Sequence, residues 1–103
     1  MNIAEDVLEY LKDYHNSETT AIKARGLCEL FNLTSRGVRN VISGLRQSGA
    51  PICSSNSGYW YSEEQGDIDS TIKRLADQVK NMSLTIKGLQ RAKEGITDEE
   101  KEE

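Results

Sequence analysis

Seven apolar residues, Ile68, Ile72, Leu75, Val79, Met82, Ile86 and Leu89, recur at intervals of 4, 3, 4, 3, 4 and 3. That alternation averages 3.5 residues, the period that keeps one apolar seam running along a helix. Segment 63–93 is therefore predicted to be one long helix. Ile72, Val79 and Ile86 fall at the a positions of the heptad, and Ile68, Leu75, Met82 and Leu89 at the d positions. β-Branched a residues with Leu or Met at d favour a parallel two-stranded coil. The flanking positions, Ala76, Ser83 and Gln90 on one side and Thr71, Gln78, Thr85 and Ala92 on the other, carry no charge. No ion pair across the seam would select a partner. Burying seven such side chains is worth on the order of 10 kcal/mol before entropy. The seam is expected to pair with another chain, here a second copy, or to fold back on the rest of the molecule.

What precedes it, segment 1–62, has room for one small core. No apolar run approaches the roughly 20 residues of a membrane span. The opening MNIAEDVLEYLKDY carries acidic residues where a signal peptide needs basic and then apolar ones, so a cytoplasmic location is expected. Cys28 and Cys53 lie 25 positions apart without Cys or His neighbours at ligand spacing. Neither a metal, a cofactor nor a disulfide is expected.

The net charge of −4 is unevenly placed. Segment 1–19 has Lys12 against Glu5, Asp6, Glu9, Asp13 and Glu18, a balance of −4. Segment 20–61 has Lys23, Arg25, Arg36, Arg39 and Arg46 against Glu29 alone, a balance of +4. Segment 62–103 returns to −4. A local positive field of this kind suits an anionic partner.

Three helices and a hairpin are predicted in the first segment. The first helix runs from about Ile3 to Tyr14, capped by Asn2 with Glu5 three residues on, and turns Ile3, Val7, Leu8, Leu11 and Tyr14 inward. The second runs from about Lys23 to Phe31 and buries Leu27, Cys28, Leu30 and Phe31, with Asn32 and Leu33 as the turn. Thr34 caps the third, which turns Val38, Val41, Ile42 and Leu45 inward and is closed by Gly49. PICSS and GYWYS then form two strands around the turn Ser55–Asn56–Ser57–Gly58. The class is α+β, mostly α. Two short helices joined by a tight turn and followed by a hairpin make a winged helix-turn-helix.

On the outer face of the third helix stand Arg36, Asn40, Ser43 and Gln47, with Arg39 and Arg46 on one flank. Arg reads a guanine edge bidentately, Asn or Gln an adenine edge, and Ser reaches base or phosphate. Thr34 and Ser35 sit where free backbone N–H groups favour a phosphate oxygen. Asn56, at the hairpin tip, completes the candidate DNA-contacting set. Solvation alone also accounts for an outward polar face, so the weight comes from its company with the turn, the hairpin and the local charge. Lys73, Lys80 and Lys87 on the long helix are read as a solvated row. His15 lacks a nucleophile or an orienting acid at any recognisable spacing, and no phosphate-binding glycine loop occurs, so no enzyme is expected. Trp60, between Tyr59 and Tyr61, could stack on a base, but strand alternation is read as putting one or two of these three rings against the helices as the hairpin's anchor.

The segment from Ile22 to Tyr61 resembles the winged helix of the biotin-repressor type. Ile22, Leu27, Leu33, Thr34, Val38, Ile42, Leu45, Gly49, Ile52 and Gly58–Tyr59 occupy its places. With a long helix appended, and with Leu45-Arg46-x-x-Gly49-x-Pro51-Ile52-Cys53-Ser54 before Gly58-Tyr59, the chain is similar to small winged-helix proteins of phages and prophages. It departs from them in Lys23, which stands where a hydroxyl cap is usual, in Gly37 inside the third helix, and in a wing tip without Lys or Arg. The resemblance implies a protein that engages double-stranded DNA as a homodimer, in transcription regulation or replication control. It leaves open a protein-binding role, such as inhibition of a host defence protein. The expected organisation is a winged domain over 1–62, a dimerisation helix over 63–93 and a disordered acidic tail over 94–103.

Overall fold

Asn2 starts the first helix, α1 (Ile3–Tyr14), by accepting a hydrogen bond from the Glu5 amide through Oδ1 at 2.8 Å. The computed structural model describes the backbone of residues 2–102 and the side chains of 2–96. A 3₁₀ turn (Glu18–Thr20) follows, then α2 (Ala24–Phe31) and α3 (Ser35–Gln47). Asn32 leaves α2 in the left-handed conformation with φ 54°, which Asn tolerates better than most side chains. Thr34 Oγ1 caps α3 by accepting from the Gly37 amide at 3.0 Å. Replacing Asn2 or Thr34 with alanine is expected to cost about 1 kcal/mol each, readable in urea unfolding as a lower midpoint at unchanged slope.

Two antiparallel strands, β1 (Ile52–Ser55) and β2 (Gly58–Tyr61), pair in register Ile52↔Tyr61 through Ser55↔Gly58, which leaves Asn56–Ser57 as a two-residue turn. Ile22 adds an isolated bridge to Tyr59: each backbone amide donates to the other's carbonyl, at 2.9 and 2.8 Å. The approach is so close that a Cβ on Gly58 (φ +122°) would lie 2.3 Å from the Ile22 carbonyl oxygen. Only glycine fits there.

The core is Val7, Leu11, Leu27, Val38, Ile42 and Ile52, with Leu8, Tyr10, Ile22, Cys28, Phe31, Val41, Leu45, Tyr59 and Tyr61 packed around it. Helical periodicity placed most of these inward. Three it misplaced. Ile3 is exposed at the first position of α1. Tyr14 is 66% exposed, because α1 ends on it and its ring leans back on Tyr10 one turn earlier, 5.2 Å between centroids. Leu30 is 55% exposed. Ala24, Leu27, Cys28 and Phe31 define the inward stripe of α2, and at 100° per residue Leu30 falls well to one side of it.

The last helix, α4, runs from Gln65 to Glu102 without a break. It thus continues through the tail that composition assigned to disorder. Glu and Lys are strong helix formers, and propagation is easy once a helix is nucleated. The described residues fall into two compact units, Met1–Thr71 and Ile72–Glu103. The boundary lies within α4 rather than at residue 62, because the first turns of α4 bond to the hairpin. Trp60 Nε1 donates to Asp67 Oδ2 at 3.2 Å, and the Ser54 amide donates to Thr71 Oγ1 at 3.2 Å. Among the described residues no helix is long and apolar enough to cross a membrane.

Within the second unit, Ile72, Val79, Met82, Ile86 and Leu89 are 55–68% exposed, and Leu75 is 36% exposed. Ile68, at the head of the seam, belongs to the first unit and is half-buried there. Ile96 lies one heptad beyond Leu89 and is exposed too, so the apolar line is longer than the seven residues that define it in the sequence.

Candidate nucleic-acid interface

Helix α3 divides its side chains sharply. Val38 and Ile42 are fully buried and Val41 and Leu45 partly so, whereas Ser35, Arg36, Arg39, Asn40, Ser43 and Gln47 are exposed. Three exposed polar types, two guanidiniums and a hydroxyl-rich start thus share one side of a helix whose other side is fixed by the core. Ion pairs such as Arg25–Glu29 at 3.4 Å and Lys73–Asp77 at 3.9 Å lie away from that face. Thr34 is exposed, but its hydroxyl oxygen is engaged as the helix cap, so its part at an anion would be to hold the α3 N-terminus open toward it.

Arg46 differs from the other candidates. It sits about 90° from the centre of the inward face at 100° per residue, and the hairpin is beside it. Its Nε donates to the Ile52 carbonyl at 2.8 Å, an Nη donates to Ser54 Oγ at 3.0 Å, and the guanidinium lies 5.8 Å from the Tyr59 ring centroid. Half-buried and bonded in this way, Arg46 joins α3 to the hairpin rather than standing with Arg36 and Arg39 on the exposed face.

The hairpin tip carries Asn56, exposed, whose carbonyl accepts a hydrogen bond from Lys23 Nζ. A tip without a basic residue of its own is thus supplied with one from the start of α2. Sequence spacing gave no sign of this, since the two residues are 33 positions apart. Of the three hairpin rings, Trp60 is buried, 3% exposed, with Tyr59 and Tyr61 half-covered against the core. Of the one or two rings that alternation assigns to anchoring the hairpin, the tryptophan is the most deeply buried.

Cys53 lies buried in β1, and burial raises its thiol above the ordinary value, so it stays neutral and unreactive at neutral pH. His15 Nδ1 lies 2.5 Å from the Thr20 carbonyl and its ring packs on Tyr10, which ties down the loop between α1 and α2. No group of three or more His, Cys, Asp or Glu side chains among the described residues is arranged to hold a metal ion. No protein family, characterised protein or solved structure matches the chain in comparisons of sequence and fold.

Proposed function

We propose that this chain is a winged helix-turn-helix DNA-binding protein of the biotin-repressor type, of phage or prophage origin. It acts as a homodimer in the bacterial cytoplasm, in transcription regulation or replication control. The observation that carries the reading is the division of α3, with a packed apolar side and an exposed side bearing Arg36, Arg39, Asn40, Ser43 and Gln47. A helix of this kind enters the major groove with its exposed side against the base edges, and the hairpin lies along the backbone. Free amides at the start of α3 and the Lys23 ammonium at the hairpin tip favour phosphate oxygens. With so few cations per copy, affinity depends on two copies and falls steeply with salt.

The test is selection of bound fragments from the encoding genome, followed by gel shifts at fixed salt. The double variant Arg36→Ala/Arg39→Ala is expected to abolish specific binding while its unfolding curve and its mass in solution stay as in the parent. Binding unchanged in that variant would exclude the α3 face as the reader. A protein-binding role is favoured by one observation, the exposure of Leu30 and Tyr14 on the same unit. It predicts capture of a single stoichiometric host protein and no DNA affinity at low salt.

A further inference from the structure

Hydrogen bonds link the end of α3 through β1 to the base of α4, and from there back to β2. Arg46 bonds Ile52 O and Ser54 Oγ in β1, and the Ser54 amide bonds Thr71 Oγ1. Thr71 Oγ1 in turn donates to Asp67 O at 3.0 Å, and Asp67 Oδ2 accepts from Trp60 Nε1 in β2. Thr71 is 5% exposed, unusually buried for a residue on a helix whose next turns are open. Its hydroxyl also meets the Cys53 thiol. Every member lies within the compact unit Met1–Thr71.

Each end of this path is consequential. At one end, Arg46 fixes the angle between α3 and the hairpin. At the other, Thr71 is the last residue of the compact unit, and the exposed seam begins at Ile72. A part-buried amide such as that of Ser54 costs the fold if its acceptor is removed, so the Thr71 hydroxyl holds β1 where Arg46 needs it. We propose that Thr71 is a positioning residue for the α3–hairpin surface, acting through Ser54 on Arg46. The base of α4, up to Thr71, is then part of the reading head. The consequence for DNA rests on the function proposed above; the latch itself does not.

The full-length chain carrying Cys28→Ser, with Cys53 as its one thiol, provides the test. Three quantities are read: the Arg46 Nε–H resonance, the rate of Cys53 alkylation by iodoacetamide, and affinity for the selected DNA. Thr71→Val, which keeps the shape and removes the hydroxyl, is expected to move the Arg46 resonance under conditions where the chain is fully folded. Alkylation should rise about tenfold and DNA affinity fall by about as much, the loss typical of one buried hydrogen bond. Thr71→Ser is expected to restore all three. A folded Thr71→Val chain whose Arg46 resonance is unmoved overturns the proposal, since general destabilisation raises alkylation but leaves that signal in place. Should Thr71→Val not fold, Thr71→Ala removes the same hydroxyl without a β-branch in the helix, and the same resonance decides in the same sense. If the parent binds no DNA, the functional reading falls, and the resonance and alkylation still decide the latch.

Discussion

Gly58→Ala is expected to lower stability by about 3 kcal/mol or more, the largest loss from any single methyl added to this chain. Two costs combine. A side chain at φ +122° is strained by roughly 1–3 kcal/mol wherever it occurs. The added Cβ would also lie 2.3 Å from Ile22 O and 2.9 Å from the Lys23 amide nitrogen, both backbone atoms that cannot swing aside. Relief requires Ile22 to withdraw, which breaks both bonds of its bridge to Tyr59 at roughly 0.5–1.5 kcal/mol each. For a unit of this size, 3 kcal/mol corresponds to a fall in Tm of roughly 12–24 °C. Gly44→Ala is the contrasting measurement. Gly44 lies inside α3 with nothing within 4 Å of the added carbon, so alanine there should stabilise by roughly 0.5–1 kcal/mol. Opposite signs from two glycine substitutions 14 positions apart, read in thermal melts, would establish that contact, not composition, governs the first. A Gly58→Ala chain melting with the parent would show that the bridge is not formed in solution.

The second large effect concerns assembly. Val79→Asp places a carboxylate at the middle a position of the seam, where pairing would desolvate it opposite its own copy. The variant is expected to sediment as a monomer. Affinity for a two-site DNA target should then drop by about 10²–10⁴-fold, the usual gain from linking two binding modules. Leu84→Asp is the control. Leu84 is as exposed as the seam residues but lies outside the a and d positions, so its substitution should leave both mass and affinity unchanged. A parent that sediments as a monomer would remove the homodimer from the proposed mechanism. Equal dissociation by both variants would place the pairing surface elsewhere on α4.

Much of this molecule was legible because its signals are local. Asn2 and Thr34 announce helix starts by side-chain chemistry acting three residues away. Asn32, Gly49 and the Asn56–Ser57 turn mark reversals by their backbone tolerance, and the apolar stripes follow the helical period. The features that escaped are the ones joining distant residues. Nothing in the spacing of Lys23 announces that it caps the hairpin tip, and Ile22 looks like an ordinary apolar residue until Tyr59 pairs with it. Arg46 illustrates the intermediate case. Its flank position was visible, but whether a flank faces solvent or a hairpin depends on where the next element packs. Thr71, uncharged beside the seam, reads as coil until the Ser54 amide is seen to need it. Ile3, Leu30 and Tyr14 were misjudged for a simpler reason: being apolar is a weak guide to burial on helices too short to hide more than one stripe.

The bridge between Ile22 and Tyr59 has a consequence in time as well as in space. It joins residues 37 positions apart, whereas the helices and the hairpin close over short stretches of chain. Loop closure on that scale comes after local structure has formed, so the strap is among the last contacts made and the first lost. Weakening it should therefore leave the folding limb of a chevron in place and raise the unfolding limb. Gly58, by letting two backbones touch, sets how long the native chain persists rather than how fast it arises.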